Sequence, residues 1–80
     1  MKLPIYPKLG EICQVKMADS RFCPLLDLES YSILDWIGNR DVFLVIKVLE
    51  YSMDSVHLDV LYKNKKGTIR IKPTNIELIK

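Results

Sequence analysis

Eighty residues, 49% of them hydrophobic and 28% charged, describe one small domain that buries only about 60% of the surface its unfolded chain would expose. Two lobes around a cleft are excluded by size, and intrinsic disorder by the apolar share. Two cysteines, Cys13 and Cys23, are too few for a disulfide scaffold and read as small buried hydrophobes.

The N-terminal segment MKLPIYPKLG carries Pro4 and Pro7 where a signal peptide needs an unbroken apolar run. The longest apolar run, VFLVI at residues 42–46, is too short to cross a bilayer. The expectation is a cytoplasmic protein with no membrane partner.

After Gly10, the run EICQVKM alternates, with Cys13, Val15 and Met17 on one side and Gln14 and Lys16 on the other, as a first strand would. Between Ala18 and Asp41 the period changes. LLDLESYSILDWIGNR places Leu26, Ser30, Ile33 and Ile37 on one helical stripe, with Asp27 as a cap and Gly38 or Asn39 as a stop. This predicts a short helix inside a long loop; two irregular strands forming an arm are the alternative, because propensity does not separate them.

VFLVIKVLEY, residues 42–51, is a nearly continuous β-branched and aromatic run and predicts a central strand with little solvent contact. SMDS predicts a turn. VHLDVLY then alternates, with Val56, Leu58, Val60 and Tyr62 inside and His57 and Asp59 outside. NKKG suits a type I turn with Asn64 first and Gly67 at positive φ, followed by TIRIK with Ile69 and Ile71 inside and Thr68, Arg70 and Lys72 outside. That turn sets Lys63 opposite Thr68, Tyr62 opposite Ile69, Val60 opposite Ile71 and Asp59 opposite Lys72. Pro73 ends the strand, PTN makes a tight single turn, and IELI closes the chain as a short strand.

The sum is a mainly β, five-stranded small barrel, one domain over residues 1–80, with a long connection at residues 18–41. In its C-terminal third the order Gly67, Ile69, Pro73, Thr74, Asn75, Ile76, Glu77, Leu78, Ile79 resembles the Src-homology-3-like barrel. In that family a hairpin with glycine leads through a strand and a Pro-x-Asn turn to a closing strand. The bacterial and phage-encoded barrels, many of them uncharacterised accessory factors, are the nearer likeness. The signalling members bind proline-rich peptides through an aromatic groove. Here EICQVKM replaces their early Ala-Leu-Tyr-Asp-Tyr segment, no Trp-Trp pair precedes the hairpin, and Ile76 stands where the turn tyrosine would be.

Charge is polarised along the chain. Residues 61–80 hold six basic side chains against Glu77, a net +5, and residues 18–41 hold five acids against Arg21 and Arg40, a net −3. One reading has Lys63, Lys65, Lys66, Arg70 and Lys72 contact nucleic-acid phosphates, with Tyr51, Tyr62 or Trp36 as stacking faces. The preferred reading has the lysines keep a hairpin tip soluble. The opposite charges also allow self-association of two copies head to tail.

The candidate partner-binding residues are Tyr31, Trp36 and Ile37, because an aromatic in a long loop is a frequent interaction anchor. Catalysis is not expected: His57 has Asp59 beside it but no placed nucleophile, and the glycines are isolated. Cys13, Cys23 and His57 lack metal-ligand spacing, so neither metal nor other cofactor is expected, and no small-molecule substrate is indicated. The function expected is a non-catalytic module for a protein partner; the alternative is a nucleic-acid-binding domain.

Overall fold

The computed structural model describes Pro4, residues 6–17 and residues 21–79; Ala18 and Asp19, at the start of the long connection, and Lys80, one of the C-terminal cations, lie outside it. The chain forms β1 (Ile12–Val15), β2 (Phe22–Leu26), β3 (Ile33–Gly38), β4 (Val42–Tyr51), β5 (Val56–Tyr62), β6 (Lys65–Ile71), a single 3-10 turn (Pro73–Asn75) and β7 (Ile76–Leu78). These strands make one curled antiparallel sheet, a half-barrel, in the order β3-β2-β6-β5-β4-β1-β7.

Seven strands replace the five expected, and the two extra ones are the arm β2–β3 that fills the long connection. The predicted helix over Leu26–Ile37 is not formed. Asp27 caps a turn instead: its carboxylate accepts from the Ser30 N–H at 3.0 Å and the Ser30 hydroxyl at 2.8 Å, and its carbonyl accepts from the Tyr31 N–H at 3.1 Å. Such local side-chain bonds compete with helix formation. The arm then sorts by alternation, Cys23, Leu25 and Ile37 inward and Phe22 and Trp36 outward.

The alternation expected of β1, β5 and β6 holds where it defines the core. Cys13, Val15, Val56, Leu58, Val60, Tyr62, Ile69 and Ile71 are all buried, together with Phe43 and Val45 of β4 and Ile76 of β7. Two expectations fail. Thr68 is 2% exposed rather than outward in solvent, and its hydroxyl donates to the Leu58 carbonyl at 3.1 Å. In β4 only Phe43 and Val45 are buried; Val42, Leu49 and Tyr51 are exposed, and two bulges near Val45/Lys47 and Val48/Glu50 turn the second half outward.

The β5–β6 register also differs. Lys63 and Asn64 form a two-residue turn, both at positive φ (47° and 64°), a type I′ geometry whose twist suits a hairpin. Tyr62 therefore faces Lys65, Val60 faces Gly67, Leu58 faces Ile69, and Asp59 faces Thr68 instead of Lys72. Each partner shifts by an even number of residues, so the inside and outside faces survive the change.

Gly67 is consequently not the turn residue. It lies inside β6, and a Cβ there would sit 2.6 Å from the Leu26 carbonyl oxygen and 2.8 Å from Leu25 Cδ1 and Cγ. The missing side chain lets β2 lie directly on β6, where they share the pair Leu26↔Thr68. Pro24, with no N–H to give, does not extend that ladder.

Gly67→Ala should therefore lower stability by about 2 kcal/mol through overpacking against fixed backbone. Denaturant titration would show a reduced midpoint with an unchanged slope.

Candidate functional site

The solvent-facing side of the arm carries the most exposed aromatic cluster. Phe22 stands opposite Gly38, and Pro24 stands opposite Trp36. The Phe22 ring lies across the glycine, since a Cβ at Gly38 would be 2.9 Å from Phe22 Cε1. Phe22 is 58% exposed and Trp36 49%, and together they line an open apolar hollow of 480 Å³. Burying rings of this size dominates the energetics of many interfaces.

The candidate residues of the arm therefore separate. Trp36 is exposed on β3, and Tyr31 is exposed in the turn at the arm's tip with φ +59°. Ile37 is fully buried opposite Cys23, so its place is in the core and not on a contact surface. Its neighbour Phe22 was missed by sequence reasoning, because its pairing with Gly38 is visible only once the β2–β3 register is known.

Strand β3 ends the sheet on one side, yet two of its outward donors are occupied. The Asp35 carboxylate accepts from the Trp36 N–H at 2.7 Å, and the Asp41 carboxylate accepts from the Gly38 N–H at 2.8 Å. Carboxylates at an edge of this kind oppose unwanted strand pairing. The same two acids tie the arm to the β5–β6 hairpin: Lys65 donates to Asp35 at 2.8 Å and the Tyr62 hydroxyl donates to Asp41 at 2.7 Å.

That arrangement engages three of the five cations suggested for nucleic acid, while Lys66 and Lys72 stand exposed. Lys65 is paired to Asp35, and the Lys63 ammonium sits 5.2 Å from the centroid of the buried Tyr62 ring. Arg70 Nη2 lies 3.5 Å from His57 Nδ1. Outward rows across β4, β5 and β6 read Lys47–Asp59–Thr68 and Glu50–His57–Arg70, so acids interleave with bases. Tyr51 is engaged elsewhere, its hydroxyl donating to the Pro7 carbonyl and its ring edge-on to Tyr6 at 5.4 Å.

Burial pushes both thiols up to about 11, helped at Cys13 by the Glu11 charge and opposed at Cys23 by a backbone interaction with Arg70. Neither is a ready nucleophile at neutral pH. Among the described residues no group of three metal-ligating side chains converges, and no helix is long and apolar enough to cross a membrane.

The Asp41 carboxyl is held below the ordinary carboxylate range, first by the Tyr62 hydroxyl, against an opposing effect of burial, and then by the Gly38 N–H. A folded-state value lowered in this way adds stability that is present above about pH 4 and is lost as pH falls through the lowered value. Tyr62→Phe should therefore flatten the acid limb of stability against pH while changing little between pH 6 and 8 beyond a constant offset. Thermal unfolding at stepped pH measures it; an acid limb as steep as the wild type's would remove this role.

No protein-family model, no curated protein and no solved structure matches this chain, so what it does has to be read from its own surfaces.

Proposed function

We propose that the protein is a non-catalytic interaction module that binds a protein partner through the outward face of the arm, with Trp36 and Phe22 as anchors and Tyr31 at the arm's tip. The observation that carries this reading is the exposed Phe22–Trp36 pair and the apolar hollow between the two rings. Large aromatic rings on a held strand lose little side-chain entropy when a partner covers them. The carboxylates on the β3 edge support recognition through the face of the arm over strand addition.

The finer fold proposed is a Src-homology-3-like barrel. Strands β7, β1, β4, β5 and β6 are successive neighbours in the sheet, the arm is inserted after the first strand, and a single turn at Pro73–Asn75 precedes the last. The chain order of strand, long connection, central strand, hairpin, single turn and short strand is what the resemblance rests on, and with it goes the proposed setting, a phage or mobile-element accessory factor. Fold likeness carries no activity. Nucleic-acid binding is not favoured, because Lys65 is paired with Asp35, Lys63 lies against the Tyr62 ring and Arg70 shares a row with His57 and Glu50, which leaves, among the described residues, only Lys66 and Lys72 of the five without such a neighbour.

Trp36→Ala and Phe22→Ala should each leave cooperative unfolding within about 1 kcal/mol of wild type, since both side chains are surface-exposed. Both should release a protein that the wild type retains in affinity capture. Unfolding of the Trp36 variant would make Trp36 a core residue and end the proposal, and salt-sensitive binding of labelled oligonucleotides would replace it with the nucleic-acid reading.

A further inference from the structure

A second hollow lies beyond the tip of the arm, where the turn meets the outer face of the sheet. Its volume is 200 Å³, and it is lined by Leu28 and Tyr31 of the turn, Leu49 of β4, Asp59 of β5 and Thr68 of β6. The Thr68 hydroxyl is committed to the Leu58 carbonyl, which leaves Asp59 as the charged group of the hollow. Asp59 is partly buried, and among the described residues it meets no cation within ion-pair distance. Lys47 stands directly across from it in the β4–β5 ladder without closing that distance.

Tyr31 adds an independent observation. Its φ of +59° is a conformation that glycine adopts freely and that larger side chains rarely do. A bulky aromatic residue therefore occupies a backbone conformation that glycine would hold more readily, and it lines the hollow.

We infer that this hollow receives a lysine side chain presented by the protein partner, an inference that rests on the interaction-module reading above and names the chemistry of its ligand. The alkyl stem lies along Leu28 and Leu49, and the ammonium sits between the Asp59 carboxylate and the Tyr31 ring. Ion pairing and cation–π attraction then act on the same charge, and the apolar walls cover the stem.

The test is an NMR titration of the intact chain with Nα-acetyl-lysine N-methylamide, with the norleucine analogue, which lacks the ammonium, as control. The lysine probe should give saturating shifts at Leu28 and Leu49 and bind at least about tenfold more tightly than the control. Asp59→Asn should weaken it about tenfold, and Tyr31→Gly should weaken it severalfold without lowering the thermal midpoint, because the strained backbone is relieved. Equal response to the two probes, an unaltered response in Asp59→Asn, or no saturating shift would each overturn the inference. Trp36→Ala should leave the lysine probe's affinity unchanged, so failure of this inference and failure of the partner-binding reading are separately visible.

Discussion

The close approach of β2 to β6 at Gly67 is the constraint on which the rest depends. A strand carrying a side chain at that position would hold Leu25 and Leu26 off the sheet. Leu25, Cys23 and Ile37, which the arm contributes to the core, would then pack less closely. Because β2 shares only one ladder pair with β6, backbone hydrogen bonding alone does not hold the arm. Apolar burial beneath it does most of that, at about 1.5–3 kcal/mol for a fully buried aliphatic side chain.

Electrostatics complete the attachment at the other end of the arm. Asp35 and Asp41 each serve two masters, a backbone N–H of β3 or its end and a side chain of the β5–β6 hairpin. The exposed Lys65–Asp35 pair contributes little by itself. Its geometric consequence matters more, since it absorbs charge from both of the segments that look polarised along the chain. The acidic and basic stretches thus meet in three dimensions at the Lys65–Asp35 ion pair and the Tyr62–Asp41 hydrogen bond.

Much of the core was legible because alternation fixes which face a residue takes. Val56, Leu58, Val60, Tyr62, Ile69 and Ile71 face inward under either hairpin register, so an error in turn placement left them correct. The turn itself was not legible: Gly67 offered the usual signature of positive φ, while the turn formed at Lys63 and Asn64 and the glycine served a packing contact with Leu25 and Leu26, far away in sequence. The arm carries the spacing of a helix at Leu26, Ser30, Ile33 and Ile37, while the local bonds of Asp27 with Ser30 and Tyr31 close a turn there instead. Of the site, Trp36 and Tyr31 were recognisable as aromatics in a long connection. Phe22 and Asp59 required the register that brings them beside Gly38 and Thr68.

The occupied donors along β3 also limit the language in which this surface is addressed. A ligand that joined a bare strand would be accepted for its backbone, and many sequences would serve. Here the main chain is already spoken for at Trp36 and Gly38, so in the proposed partner contact selectivity would fall on ring shape and on what is offered to fill the space beside it. Recognition of that kind tolerates drift everywhere except at a few side chains, and a single substitution in the visiting molecule is enough to end it.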